Sequence, residues 1–261
     1  MTEIDAYTAF AEVYDQMMDQ IPYQDWCTFV TGLLRSFGIN GGLLLELGCG
    51  TGTLTEMFSA EGYDMIGVDR SEAMLAEALR KRDASGRNIL YLEQDMRAFE
   101  LYGTVAAAVS LCDSMNYLTE YSDLVQVLRL VNNYLDPGGI FIFDCKTAHY
   151  FRKTADQVYA DADGECREGT FSYIWEEEFD ERRQENNTWL TLYLPEKSGL
   201  YRRYDEEHIQ KVWEIPVIRK AAEEAGMTFV EAMDRSRGEV TDGTDRIYVI
   251  LREKGKEKAD E

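Results

Sequence analysis

The sequence is short of positive charge. Lysine and arginine together number 27 against 49 aspartates and glutamates, a formal net charge of −22. That deficit argues against nucleic acid and anionic membranes as partners, because both are held by a cationic face. Paired cysteine motifs are missing too. Cys27, Cys49, Cys112, Cys145 and Cys166 are scattered, odd in number, and form no CxxC. Such spacing argues against structural zinc and fits free thiols in a reducing compartment, so no bound metal is expected. Neither an N-terminal signal pattern nor an apolar run of membrane-spanning length occurs, and the expected location is cytoplasmic with no membrane partner. There is no internal repeat and no separate linker. Histidine is scarce: His149 and His208 are the 2 in the chain. A general base with a pKa near neutrality is therefore sought at His208 first, with His149 second.

What is present is organised around LLLELGCGTGT, Leu43 to Thr53. An apolar run ends in the acid Glu46, turns on Gly48, Gly50 and Gly52, and enters a helical pattern at Leu54. Strand, glycine turn and helix N-terminus in that order form the edge of a nucleotide-type pocket. No Lys-Ser or Lys-Thr follows, which argues against a P-loop, and GxGxG is not the GxGxxG of a dinucleotide site. Glycines without Cβ atoms let a ligand lie against the backbone. An acid beside them suits a ligand with a cationic end better than a pyrophosphate, as in the ammonium and sulfonium of S-adenosylmethionine. A second strand, Asp64 to Asp69, ends in an acid 23 residues after Glu46, near the spacing at which a carboxylate meets ribose hydroxyls. Arg70 beside it would suit a 2′-phosphate instead. Ser71 caps the next helix. Strand three, Asn88 to Gln94, leads to Asp95 and Met96, an acceptor for an adenine amino group and a soft apolar face. Strand four, Thr104 to Leu111, is apolar enough to be covered on both sides and runs into CDSMNYL. Asp113, Ser114 and Asn116 there either face a reacting group or cap the following helix. DPGG, Asp136 to Gly139, reads as a turn before strand five, Ile140 to Asp144. The regular alternation implies a doubly wound parallel sheet.

Helical periodicity also runs from Ala6 to Met18, with Tyr7 and Tyr14 on the apolar face, either packed in the core or folded over a ligand. Between about Ala148 and Trp213 the βα rhythm stops. Thr170 to Phe179, Thr188 to Leu194 and Leu200 to Trp213 alternate in the manner of antiparallel strands, with a turn expected at Asn186-Asn187. Phe171, Tyr173, Trp175 and Phe179 share one face. Arg202, Tyr204, Glu206, His208 and Gln210 share another, which either covers a ligand or faces solvent. The fold resumes with a helix at Pro216 and two closing strands, and the charged tail reads as disordered.

LELGCGTGT, GVDRSEAML, LEQDMRAF, SLCDSMNYL and LDPGG, in this order, resemble a class I SAM-dependent methyltransferase over about Tyr7 to Leu251. FAEVYDQMM, PYQDW and YRRYDEEHIQKVW resemble an uncharacterised bacterial subgroup that is itself similar to sugar N-methyltransferases. The resemblance implies an α/β, Rossmann-like, doubly wound seven-stranded sheet whose last strand is antiparallel, with an inserted antiparallel β lid. The domains expected are a helical cap at 1–40, a SAM-binding domain at 41–147 and 214–253, the lid at 148–213, and a disordered tail at 254–261. It also implies that Glu46 and the Gly48 to Gly52 loop hold the methionine end. Asp69 would hold the ribose and Asp95 with Met96 the adenine, with Leu111 at the sulfonium and Tyr14 closing over the cofactor. The acceptor is expected to be a small molecule methylated on N or O, near Asn116, Tyr117, Trp175, Arg202 and Tyr204, by a monomer or homodimer. The alternatives are an NAD-dependent oxidoreductase and a protein that binds SAM without turnover. Against the first stands the lone Tyr-x-x-x-Lys pair, Tyr193 with Lys197, whose helix Pro195 would break.

Overall fold

Leu44 and Leu45 are both fully buried, yet they belong to opposite sides of one sheet, as the two-residue period of a strand requires. The computed structural model describes Tyr7, residues 9–166 and residues 169–256. In chain order a 3-10 turn, Phe10–Glu12, is followed by α1 (Tyr14–Met17), α2 (Tyr23–Ser36), β1 (Gly42–Leu47), α3 (Thr53–Ala60), β2 (Tyr63–Asp69), α4 (Glu72–Ser85), β3 (Leu90–Glu93), β4 (Val105–Ser110) and a second 3-10 turn, Ser114–Tyr117. Then come α5 (Tyr121–Tyr134), β5 (Leu135–Lys146), α6 (Ala148–Thr154), β6 (Val158–Cys166), β7 (Gly169–Asp180), β8 (Glu185–Pro195), β9 (Tyr201–Lys211), α7 (Ile215–Glu224), β10 (Thr228–Met233) and β11 (Arg246–Arg252).

The main sheet has seven strands in the order β10-β11-β5-β4-β1-β2-β3. β1, β2, β3, β4 and β5 pair in parallel, and β11 runs antiparallel to both β5 and β10. The strand order reverses beside β1, between β4 and β2, which opens a crevice at the carboxyl ends of those strands. α5 and α7 cover one face through Leu128, Val131, Ile218 and Ala222. α2 and α3 cover the other through Val30, Leu34, Leu54 and Phe58. α2 stops at Gly38, whose φ of +82° lets Ile39 N–H reach back to the Leu34 carbonyl. Ser71 caps α4 by accepting from Met74 N–H at 3.2 Å.

β6, β7, β8 and β9 form a separate antiparallel sheet. Its inward face carries Phe171, Tyr173, Trp175, Glu177 and Phe179 from β7, in register with Leu190, Thr188 and Asn186 of β8 and Glu206, His208 and Gln210 of β9. Ala9, Phe10 and Val13 pack against it with Leu190, Leu192 and Leu194.

Four local expectations change. The helix expected over Ala6 to Met18 begins outside the described residues and is broken within them, because Tyr7, Ala9 and Phe10 give their N–H groups to Glu206 rather than to a helix. Asn186-Asn187 is not a turn. The chain turns at 181–184, where Asp180 accepts from Arg182 and Arg183 N–H, and Asn186 is fully buried in β8. DPGG lies inside β5 as a bulge, with Val105 opposite Leu135 and Ala107 already opposite Ile140. Glu253 is 5% exposed and accepts from Gly138 N–H, while Lys256 Nζ donates to the Asn132 and Asn133 carbonyls near the end of α5. Of the tail expected from 254, residues 257–261 lie outside the described residues.

Candidate functional site

The glycine turn is held by β2: Gly48 and Cys49 N–H both donate to the Val68 carbonyl, at 2.8 and 3.1 Å. Gly48 (φ +70°) and Gly50 (φ +53°) are left-handed. A Cβ on Gly48 would lie 2.5 Å from Ser114 Oγ, whereas a Cβ on Gly50 would meet only open space. Gly50 lines a cleft at the carboxyl ends of the strands.

Glu46, Asp69 and Asp95 ring this cleft from three successive parallel strands. Glu46 is 2% exposed and accepts from Thr55 Oγ1. Burial pushes its carboxyl up to about 8, so without a cationic partner it is protonated at neutral pH. Asp69 accepts from Gly50 N–H at 2.8 Å with one oxygen and from Ser71 N–H at 2.9 Å with the other. Burial pushes the Asp69 carboxyl up, and those two N–H groups oppose the shift. Asp95 is bound by the Arg97 guanidinium, at 2.6 Å to one oxygen, which holds its carboxyl below the usual range. Tyr14, Gly48, Gly50, Arg70, Met96 and Leu111 line the same cleft.

A second cavity adjoins the first and shares Tyr7, Tyr14, Tyr23, Cys112 and Tyr117 with it. Its floor is a charge network. Arg246 bridges Asp113 and Asp144, Lys146 lies 3.2 Å from Asp113, and Gln210 Nε2 donates to Asp113 at 2.6 Å. Burial works to raise the Asp113 carboxyl, but Lys146 and Arg246 outweigh it and hold it below the usual range. Its roof is the antiparallel sheet. His208, 3% exposed, bonds through Nδ1 to the Tyr117 hydroxyl at 3.1 Å, and Tyr117 bonds in turn to the Tyr7 hydroxyl at 2.5 Å. His208 Nε2 has no hydrogen-bond partner among the described residues and lies 3.5 Å from Glu206. Burial raises the Tyr7, Tyr14 and Tyr117 phenols, which stay protonated.

The remaining residues singled out in the sequence take different positions. Gly52 turns inward against Tyr91 and Ala78, at the start of α3. Asn116 is fully buried, and its amide joins the Lys146 and Lys211 carbonyls, so it ties the loop to β5 and β9. Trp175 and Tyr117 line the second cavity. Arg202 is exposed and pairs with Glu196, and Tyr204 packs in the hydrophobic cluster of the small sheet; neither lines either of these two cavities. His149 is 3.7 Å from Asp245, away from both cavities. The face of β9 carrying Glu206, His208 and Gln210 is buried rather than solvated. Tyr23, Arg97, Lys146, Glu177 and Arg246 join the site without a sequence signal that marked them as binding residues, whereas Asp113, expected either to face a reacting group or to cap the next helix, lines the second cavity. Glu177 had left a signal: it occupies the same alternate positions of β7 as the aromatic residues.

A family model described as a methyltransferase domain matches residues 44–139. A protein from Geobacillus sp. (strain WCH70), named as a candidate methyltransferase, is 31% identical over 248 residues, covering 94% of this chain and 99% of its own. The dTDP-3-amino-3,4,6-trideoxy-alpha-D-glucopyranose N,N-dimethyltransferase of Streptomyces venezuelae is 34% identical over 143 residues, covering 54% of this chain and 56% of its own. The crystal structure of an S-adenosylmethionine-dependent methyltransferase from Clostridium acetobutylicum ATCC 824 superposes with a TM-score of 0.82 at 25% identity, covering 95% of this chain and 99% of that one.

Proposed function

The chain belongs to the class I SAM-dependent methyltransferases, and from that premise we propose that it methylates a nitrogen or oxygen of a small molecule bound between the main sheet and the antiparallel sheet. Membership in this family removes the oxidoreductase alternative. The observation that supports the reading is the pair of adjoining cavities. One is ringed by Glu46, Asp69 and Asp95, the other is roofed by His208, and Tyr7, Tyr14 and Tyr117 stand at their junction. The dimethyltransferase from Streptomyces venezuelae, named for an amino-sugar nucleotide, favours a small polar acceptor for this chain.

The residues fit the cofactor. The open backbone at Gly50 leaves room for it, and the Glu46 carboxyl suits its ammonium. Asp69 keeps acceptor capacity for a ribose diol, and Met96 offers an apolar face to a base. When bound, the cofactor supplies an activated methyl group on a cationic sulfur. The protein's task is then orientation and exclusion of water, and alignment of the acceptor supplies roughly 7–11 kcal/mol of such a barrier. Tyr14 and the segment around Phe10 lie over the junction and keep water out. His208 takes the acceptor's proton at Nε2, with Nδ1–H donating to the Tyr117 oxygen.

Calorimetric titration with S-adenosylhomocysteine tests the cofactor half. Binding is expected, and Asp69→Ala is expected to weaken it about tenfold or more, the loss of two hydrogen bonds to a charged acceptor. No heat of binding to the intact protein would refute the reading. Methyl consumption with a panel of amines and alcohols tests turnover.

A further inference from the structure

Glu177 is a buried acid of the second cavity whose chemistry the methyl transfer leaves unused. It is 7% exposed, on the inward face of β7. Its Oε1 accepts from Trp175 Nε1 at 3.1 Å, and its Oε2 is buried with no hydrogen-bond partner among the described residues. A carboxylate oxygen buried without a donor is costly unless a ligand completes it. The other charges in and around the cavity are matched. Asp113 and Asp144 answer Lys146 and Arg246. Glu206, in the next row, is engaged by three backbone N–H groups, from Tyr7, Ala9 and Phe10. No other lysine or arginine lines the cavity among the described residues. Lys146 is near enough to feel Glu177, but its ammonium is held over the Tyr150 ring, 4.8 Å from the centroid, and paired with Asp113.

The cavity that Glu177 lines is rich in aromatic rings. Tyr159 and Trp175 are cross-strand neighbours in the same face, and Tyr150 and Tyr173 complete the wall. Ring faces attract cations and do not attract anions. Glu177, Thr188 and His208 form one cross-strand row over β7, β8 and β9, so Glu177 stands about two strand spacings, roughly 9.5 Å, from His208 along the roof. A small ring bridges that span.

From the unmatched carboxylate, the aromatic wall and this spacing, we infer that the acceptor carries a protonated amino group and that Glu177 Oε2 holds it. The acceptor class is a small cationic amine, with Glu177 as the residue that selects it over neutral and anionic analogues. The inference rests on the methyltransferase reading, since it assigns the acceptor half of that site.

The test uses the full chain saturated with S-adenosylhomocysteine, titrated with cyclohexylammonium, cyclohexanol and cyclohexanecarboxylate. The ammonium should bind about tenfold or more tightly than the alcohol, and the carboxylate least of all. Glu177→Gln, which keeps an acceptor for Trp175 Nε1, should erase the preference while leaving the affinity for S-adenosylhomocysteine unchanged. In the unsubstituted protein the Trp175 indole N–H resonance should shift with the ammonium and not with the alcohol, a measurement that needs no variant. A preference that survives Glu177→Gln, or an unsubstituted protein without one, overturns the inference. Loss of S-adenosylhomocysteine binding by the unsubstituted protein would instead overturn the cofactor reading, so the two failures are distinct.

Discussion

Glu46 stores an electrostatic conflict. Burial raises its carboxyl from an ordinary 4.5 to about 8. The native state therefore holds a proton that the unfolded chain releases, and stability from this group is full below about 4.5 and lost as pH rises through about 8. Glu46→Gln removes the titration. At pH 8.5 the ligand-free variant should melt at least about 2–4 °C above the unsubstituted protein, and the gap should shrink toward pH 5. A pH-independent gap in thermal melts would refute the assignment. The same variant should bind S-adenosylhomocysteine about tenfold or more weakly at pH 8, because a neutral amide cannot answer an ammonium. Such a pair of results would mark Glu46 as a residue that trades stability for binding, as a preorganised site requires.

At the scale of elements, the glycine turn and the N-terminal segment each join two functions. Gly48 and Gly50 have similar backbones but different surroundings. Gly48→Ala drives a methyl into Ser114, so it should lower the melting temperature and cofactor affinity together. At Gly50 the new methyl meets open cleft, so Gly50→Ala should cost only the left-handed strain, about 1–2 kcal/mol, while blocking the cofactor. Equal thermal losses in the two variants would contradict this division. The segment from Tyr7 to Met17 is tied down twice. Glu206 takes three of its N–H groups, and Asp15 accepts from Thr51 Oγ1 and pairs with Lys81 at 2.6 Å. Glu206→Gln should speed amide exchange at Tyr7, Ala9 and Phe10 and hasten cofactor release, leaving the main sheet's protection unchanged. Uniform exchange in both proteins would show that Glu206 is not the latch.

Across the whole molecule, a net charge of −22 sets which ligands approach easily. Cations are drawn in and polyanions are repelled. A fluorescently labelled single-stranded RNA should show no change in anisotropy at 50 μM protein and about 50 mM salt, where counterion release would favour binding most. Saturable binding there would place a basic groove on the surface and reopen nucleic acid as the acceptor. Among the described residues no helix is long and apolar enough to cross a membrane.

The order of apolar runs, acids and glycines already contained the parallel sheet and the ring of Glu46, Asp69 and Asp95. Those features are local: a strand, its terminal residue and the turn after it are neighbours in sequence, and parallel pairing brings their ends together. The bonds that build the second cavity join residues about 100 to 200 positions apart, such as Glu206 with Tyr7, Arg246 with Asp113 and Gln210 with Asp113. No periodicity carries such pairings, because each depends on how the antiparallel sheet docks against the loop after β4. The docking also decided that the face of β9 with His208 is buried, that Asn116 is structural, and that Arg202 points away. Alternation along a strand says which residues share a side, and only the packing of one layer on another says which side is inside.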